Sequence, residues 1–264
     1  MSTFGNLLAF SPELWLLAGA IVVFLVARLR PGASTTMVAL VSLVAAFLAL
    51  ATQFKQTITI LDGAFLLDGF AIVIDVVVLA AAALTLLASR ADILPGDGQA
   101  EAVPGFLLLA TLGAMLAASA AEMVSLFLGL ELLAINLYVV SVLARRGLAP
   151  ATAGLGYLVA GGASSALLLY GLALVFGLTG ETRLGATGAA MAALGSNHPA
   201  VLLSLSLILG GFALRMGLLP VRSTMAAASS TSSAAVRPSA TISTMAPLRA
   251  TGDADTAARR TRPM

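Results

Sequence analysis

The stretch MVSLFLGLELLAINLYVVSVL, residues 123–143, decides the fold class of this chain. As a helix it is long enough to cross a hydrocarbon core of roughly 30 Å. Its one charged residue, Glu131, lies near the middle. A carboxylate at that depth costs about 2.5–3.5 kcal/mol on insertion scales, so a helix that keeps one turns it toward a partner or a wet cavity. Two interpretations are open: a proton relay or ion path, and a structural hydrogen bond between helices.

The composition of the whole chain extends this interpretation. Of the 264 residues 59% are hydrophobic and 10% charged, and the mean hydropathy is +1.03. A soluble domain has about 25% charged residues. The sequence therefore predicts an all-α polytopic membrane protein. The absence of cysteine excludes disulfides, thiol catalysis and thiolate metal sites, and a net charge of +2 does not suggest nucleic-acid binding.

Seven apolar segments form a predicted membrane domain over residues 1–220. The segment QTITILDGAFLLDG between the second and third of them predicts a short hairpin around Asp62-Gly63, because β-branched residues alternate around a turn pair. The loop 179–199, rich in Gly and Ala, is predicted to connect the last two. The predicted spans cover about residues 12–26, 35–52, 70–88, 103–118, 123–143, 153–178 and 200–219.

The basic residues predict an orientation in the membrane. If the seven spans alternate, one side carries more Arg and Lys than the other, and the richer side is expected to be cytoplasmic. The N-terminus is then periplasmic, in a bacterial inner membrane. The richer side holds Arg28, Arg30, Arg90, Arg145, Arg146 and Arg222, against Lys55 and Arg183 on the other side.

The character of the chain changes after Pro220. Residues 221–264 are mostly Ser, Thr, Ala, Arg and Pro. Such a segment cannot bury enough apolar surface to offset its ordering entropy, so we expect a low-complexity, disordered tail. The abrupt change also suggests a shifted reading frame or a truncated gene.

Two charged residues are the candidates for chemistry, Glu131 and Arg215. On neighbouring helices they would stabilise each other's charged forms, which suits either a switchable proton site or a static ion pair that fixes helix packing. Asp75 lies near a helix start, where stabilisation by the helix dipole accounts for a carboxylate as well as a function does. No P-loop, dinucleotide fingerprint, metal-ligand spacing or Ser-His constellation is present, so no redox centre is expected.

Five further residues have structural interpretations. Ser119 and Glu122 have capping-box spacing, which predicts a helix cap rather than a site. Gly161 and Ser165 have the small-xxx-small spacing that allows close helix contact. The loop residue His198 is expected to be solvated.

Three stretches resemble subunit N of respiratory NADH-quinone oxidoreductase (complex I). They are LDGFAIVIDVVVLAAAALTLLASR, LLLATLGAMLAASAAEMVSLFLGLELLAINLYVVSVLARR and GYLVAGGASSALLLYGLALVFGLTGETRL. The resemblance runs from about Ser11 to Pro220. It implies an antiporter-like membrane subunit, of which this chain has the first part of the fold, truncated after the seventh helix.

The resemblance also assigns roles to two residues and shows where this chain departs from the family pattern. Glu131 falls at the family's fifth-helix glutamate, and Arg215 falls where the family has the lysine of its broken seventh helix. Arg in place of Lys is a departure, because Arg does not release its proton. Gly156 stands where the family pattern commonly has Lys. After Pro220 the family continues with further spans that this chain lacks.

The function implied by the resemblance is proton translocation, as a subunit of a translocating NADH-quinone oxidoreductase. NADH, FMN, iron-sulfur clusters and quinone are expected in partner subunits, with no cofactor or metal in this chain. The partners are then the other membrane subunits, the lipid bilayer and protons. One alternative is a subunit of a multisubunit cation/proton antiporter or a membrane-bound hydrogenase. The other is a truncated, non-functional structural fragment.

Overall fold

The computed structural model describes residues 10–30, 34–54, 57–89, 98–143, 148–195 and 197–216, without the side chains of 98–99 and 148–157. The predicted tail and most of the basic residues used for the orientation fall outside that description, and Gly156 lies in the part of α6 that is described as backbone alone. The described chain is almost entirely helical, with one small hairpin. The helices are α1 (Ser11–Leu29), α2 (Thr35–Thr52), α3 (Gly69–Ser89), α4 (Gly98–Ala118), α5 (Met123–Leu143), α6 (Leu148–Thr179), α7 (Leu184–Leu194) and α8 (Pro199–Arg215).

The predicted membrane architecture is confirmed. Within the described residues, α1 to α6 each contain a segment long and apolar enough to cross a bilayer. The two shorter apolar helices are α7 and α8, and α8 corresponds to the seventh predicted span up to Arg215. The sequence placed the start of the fourth span at residue 103, whereas α4 begins at Gly98 and includes Pro104. Pro104 is the seventh residue of α4, so the hydrogen bond that an N–H there would donate to the Ala100 carbonyl is missing.

The loop predicted over residues 179–199 is wrong in part, because it contains helix α7. The residues Leu184–Leu194 are rich in Ala, the best helix former, which outweighs their two glycines. Gly180 and Gly195, both with positive φ, bound this helix on either side. At these two positions glycine adopts the left-handed conformation without a Cβ penalty.

The predicted hairpin is confirmed as two antiparallel strands, β1 (Ile58–Ile60) and β2 (Phe65–Leu67). The turn between them contains Leu61, Asp62 and Gly63, all with positive φ. The linker from α4 to α5 lies beside β2, where the Leu66 N–H donates to the Ser119 carbonyl at 2.7 Å. On its other side the linker bonds to the start of α7, where the Leu184 N–H donates to the Ala121 carbonyl at 3.0 Å. The linker therefore joins the hairpin to the α6–α7 loop at one end of the bundle.

Helices α1 to α4 surround the hydrophobic core. Helix α1 packs against α2 and α4, and α3 packs against α2 and α4. Every buried member of the core cluster belongs to these four helices or to β2, with the largest fully buried side chains including Leu16, Leu50, Leu86 and Leu108. These four helices form the first region of the protein, which we call the apolar region.

Helices α5, α6 and α8 form a second region, which we call the polar region. Helix α5 packs closely along α4, and α6 packs along α8 and against α5. Glycines make both close contacts possible: a Cβ on Gly113 of α4 would lie 2.5 Å from the backbone nitrogen of Leu133. On the other pair, a Cβ on Gly211 would lie 2.9 Å from the backbone nitrogen of Leu168. Helices α5 and α8 both lie against α6.

Candidate functional site

The two candidate residues lie at different positions in their helices, one near the middle and one at the end. Glu131 lies a little more than two turns into α5, within an apolar helix that has no other charged residue. Arg215 is the last residue of α8. A cation in the last turn of a helix interacts favourably with the helix dipole.

The structure brings Glu131 and Arg215 into direct contact. The Arg215 Nη2 donates to Glu131 Oε1 at 2.5 Å, and Arg215 Nη1 donates to the Leu130 carbonyl at 2.9 Å. The side chains are 15% and 23% exposed for Arg215 and Glu131, respectively. A charge-assisted hydrogen bond that is largely screened from solvent is stronger than a surface pair. The pair therefore gives each charge an opposite charge as its partner, while Arg215 Nε has no hydrogen-bond partner among the described residues.

Ser165 of α6 completes a triangle with this pair. Its Oγ donates to Glu131 Oε1 at 2.6 Å and accepts from Arg215 Nη2 at 2.8 Å. The same Oγ lies 3.1 Å from the Gly161 carbonyl oxygen. Three helices thus each contribute one polar side chain to a single point.

The spacing Gly161–Ser165 indicated helix packing, and that packing is present. A Cβ on Gly161 would collide with the hydroxyl of Tyr138 on α5, so glycine lets the two helices approach. The polar role of Ser165 was missed by sequence reasoning. A signal existed in the pair Ser164-Ser165 within an otherwise apolar helix, since in a membrane a hydroxyl usually finds a partner on a neighbouring helix. Ser164 points elsewhere and donates to the Gly211 carbonyl at 2.8 Å.

The arrangement has a definite chemical capacity. A carboxyl group can gain and lose a proton, whereas a guanidinium stays charged in proteins. Glu131 is therefore the group of the triangle that can change its charge, and Arg215 is a fixed counter-charge. Glu131 Oε1 accepts hydrogen bonds from both Arg215 and Ser165. Glu131 Oε2 accepts no hydrogen bond from the residues that the structure describes. Among those residues, no group of three or more His, Asp or Glu could hold a metal ion.

The other residues singled out in the sequence lie elsewhere. Asp75 is fully buried in α3, and neither of its carboxylate oxygens accepts a hydrogen bond from a described residue. It is more than a turn inside its helix, so the helix dipole does not account for it. His198 is exposed just before α8, as expected.

The predicted capping box at the start of α5 is wrong. The Ser119 hydroxyl donates to the Met115 carbonyl at 3.1 Å, at the end of α4, and α5 begins only at Met123. Glu122 instead lies 4.0 Å from Nε of Arg183, with which it forms an isolated β-bridge. The bridge to the α6–α7 loop holds the linker extended, which delays the helix start.

Comparison with known proteins identifies the class. Residues 120–252 match the family described as "NADH:quinone oxidoreductase/Mrp antiporter, TM", and the chain belongs to this family. It is a multi-pass membrane protein of the antiporter-like kind. The family match continues beyond Pro220 to residue 252, and so includes part of the segment in which the composition of the chain changes.

Individual relatives agree on the subunit. The NADH-quinone oxidoreductase subunit N of Rhodospirillum rubrum is 34% identical over 215 residues, which are 79% of this chain and 44% of that protein. The chain thus spans less than half the length of the curated relatives it matches. A chain of respiratory complex I from Thermus thermophilus, solved with bound aureothin, aligns with a TM-score of 0.62 and 25% identity, covering 76% of this chain and 42% of that chain.

A third comparison shows the fold alone. A chain of the membrane-bound sulfane sulfur reductase, an archaeal respiratory membrane complex, aligns with a TM-score of 0.66 at 22% identity. It covers 79% of this chain and 44% of the other. The helix arrangement is therefore shared between respiratory membrane complexes of different chemistry.

Proposed function

We propose that this chain is a proton-translocating membrane subunit of an NADH-quinone oxidoreductase, in which Glu131 carries the proton. The observation that supports the role of Glu131 is its contact with Arg215 and Ser165 in the middle of an apolar helix. An intramembrane ionisable residue marks an ion pathway more often than decoration. The similarity to relatives named subunit N supports the choice of complex.

The proposed division of roles follows from side-chain chemistry. Glu131 gains a proton from one side of the site and releases it to the other, as electron transfer in partner subunits changes its surroundings. Arg215 stays charged and holds the ionised carboxylate in place. NADH, FMN, iron-sulfur clusters and quinone belong to the partner subunits, and this chain contributes no redox group.

The test separates proton transfer from a structural role. Glu131→Gln keeps the shape and hydrogen-bonding capacity of the side chain but cannot carry a proton. In sealed vesicles that contain the assembled complex, NADH oxidation and acidification are followed together. We expect Glu131→Gln to abolish acidification as Glu131→Ala does, whereas Glu131→Asp keeps part of it.

Two results would contradict this proposal. Normal acidification in the Glu131→Gln variant, with normal assembly, would show that the glutamate is only a hydrogen-bonding partner. Failure of the chain to co-purify with any oxidoreductase subunit would refute its membership of the complex. A matched control is Asp75→Asn, which changes a second buried carboxyl outside the triangle and should leave acidification unchanged.

A second candidate function is a subunit of a multisubunit cation/proton antiporter. The family description, which includes the Mrp antiporters, favours it. In that case a cation gradient alone, without NADH, should drive acidification of vesicles that contain the chain and its partners. The same Glu131→Gln variant should abolish that movement.

We further propose that the protein lies in a bacterial inner membrane with its N-terminus periplasmic. The excess of Arg on one side supports this orientation. Cysteine labelling from either side should find a Cys introduced at Arg146 in the cytoplasm and one at His198 outside. The chain has no native cysteine to interfere. The opposite result at both positions would invert every span.

A further inference from the structure

The hydroxyl of Ser165 has more acceptors than it has protons. Its Oγ lies 2.6 Å from Glu131 Oε1 and 3.1 Å from the carbonyl oxygen of Gly161, one turn earlier on the same helix. A serine hydroxyl carries a single proton and rotates to suit its surroundings. It can therefore make one good hydrogen bond as a donor, either across to α5 or back along α6.

Arg215 occupies the acceptor side of the same hydroxyl. Its Nη2 donates to Ser165 Oγ at 2.8 Å and to Glu131 Oε1 at 2.5 Å. Because the guanidinium does not lose its charge, these donors remain in both protonation states of Glu131. The one variable in the triangle is the direction of the Ser165 proton.

The charge on Glu131 decides that direction. An ionised carboxylate is a stronger acceptor than a backbone carbonyl, so the hydroxyl then donates to Oε1. When Glu131 is protonated, this advantage is lost, and the Gly161 carbonyl becomes the competing acceptor. The free oxygen Oε2 is the atom left for the proton, since Oε1 already receives two donors.

We propose that Ser165 is a positioning residue that acts as a two-position switch. Its hydroxyl donates to Glu131 Oε1 when the glutamate is ionised and to the Gly161 carbonyl when Oε2 carries a proton. The covalent change is the gain or loss of one proton at Oε2, and the Ser165 O–H bond only rotates. This inference rests on the proposed function in one respect, that Glu131 changes its charge.

The surroundings contain few competing groups. Helix α4 presents glycine and apolar residues to this part of α5, and its one charged residue, Glu101, lies in its first turn at the far end. Helix α6 has no charged residue, and its tyrosines are Tyr157 and Tyr170. On α5 the Tyr138 hydroxyl lies beside Gly161, and on α8 the charged residue is Arg215. Glu131 is therefore the titratable partner of Ser165 among the residues that the structure describes.

The sequence offers a site-specific reporter for the Gly161 carbonyl. Consecutive glycines occur only at Gly161-Gly162 and at Gly210-Gly211. If every glycine carries ¹³C in its carbonyl and ¹⁵N in its amide, one-bond carbon–nitrogen correlations in solid-state NMR select these two pairs. Gly161 reports the switch, and Gly210 serves as the internal control. A second sample with ¹³C-carboxyl glutamate follows Glu131, which Glu131→Gln assigns among the five glutamates.

The experiment uses the full chain in lipid nanodiscs over a range of pH. We expect the Gly161 carbonyl signal to shift in the same pH interval in which the Glu131 carboxyl signal changes, while Gly210 stays constant. Ser165→Ala should remove the Gly161 shift, Ser165→Thr should retain it, and Glu131→Gln should make Gly161 independent of pH. A purely structural hydroxyl would leave Gly161 unchanged at every pH.

The outcomes are distinguishable. A Gly161 signal that stays fixed while Glu131 titrates overturns the switch and leaves the proposed function standing. A shift that persists in Ser165→Ala overturns it too, because the hydroxyl would not be its cause. A Glu131 signal that never changes with pH overturns the proposed function, and the switch with it.

Discussion

The apolar region (α1 to α4) and the polar region (α5, α6 and α8) accommodate a carboxyl group inside an apolar helix in different ways. Each holds an acidic residue well inside a long apolar helix, Asp75 in the first region and Glu131 in the second. The apolar region also buries Glu13 and Glu101, both in the first turn of their helices. Asp75 is fully buried in a hydrophobic core and accepts no hydrogen bond from a described residue. Glu131 keeps some exposure and receives donors from two other helices.

The difference shows what a polar site inside a membrane protein requires. A buried group without a hydrogen bond costs about 1–3 kcal/mol in mutational data, and a charged group costs more. The apolar region bears that cost within a tight core. The polar region offsets it with hydrogen-bond partners on neighbouring helices. The partnered carboxyl is therefore the one suited to changing its charge reversibly.

The largest expected effect comes from removing one member of the pair. Arg215→Leu leaves Glu131 without its counter-charge, and breaking a largely buried pair in this way costs about 3–5 kcal/mol. The free energy of unfolding in mixed micelles, measured by SDS titration, should fall by that order. The double variant Glu131→Gln with Arg215→Leu should recover much of the loss. Equal loss in the single and double variants would show that the pair does not stabilise the polar region.

A smaller effect is expected at the contact between the two regions. In Gly113→Ala the new Cβ would lie 2.5 Å from the Leu133 nitrogen, so α4 and α5 must separate. Overpacking of this kind costs about 1–3 kcal/mol. The matched control is Gly162→Ala, where no atom lies within 4 Å of the new Cβ. The same SDS titration should show a loss for Gly113→Ala alone; equal stability of the two variants would contradict the close contact.

The smallest effect has the opposite sign. Asp75→Val removes a buried carboxyl that has no hydrogen-bond partner among the described residues, so the free energy of unfolding should rise by about 1 kcal/mol. Glu131→Val is the counterpart in the polar region and should lower it, because Arg215 is left unpaired. Two changes of the same sign would mean that the two carboxyls have equivalent surroundings.

Much of the fold was readable from the sequence because a bilayer imposes simple rules. Apolar length predicts a span, and the helices α2 and α5 cover the same residues as two of the predicted spans. The turn chemistry at Asp62-Gly63 predicted the hairpin. The missed helix α7 is short and rich in Gly and Ala, so neither length nor periodicity marked it.

The candidate site was readable only in part. Glu131 and Arg215 stood out because a charge in an apolar helix is costly and therefore rare. Ser165 did not stand out, because a serine on an apolar helix bonds back to its own backbone as readily as to another helix. Glu122 has the spacing of a capping box, but a loop far along the chain contains its partner Arg183.

The sequence by itself determined that this is a membrane protein, where most of its helices run and which apolar helices carry a charge, since these follow from local composition and the cost of burying charge. Only the tertiary structure decided which helices touch and which oxygen of Glu131 is occupied. Those depend on glycine contacts and on hydrogen bonds between residues as far apart as Leu130 and Arg215. Such contacts produce no periodic pattern in the sequence, because they depend on which helices are neighbours and on the direction in which each side chain points.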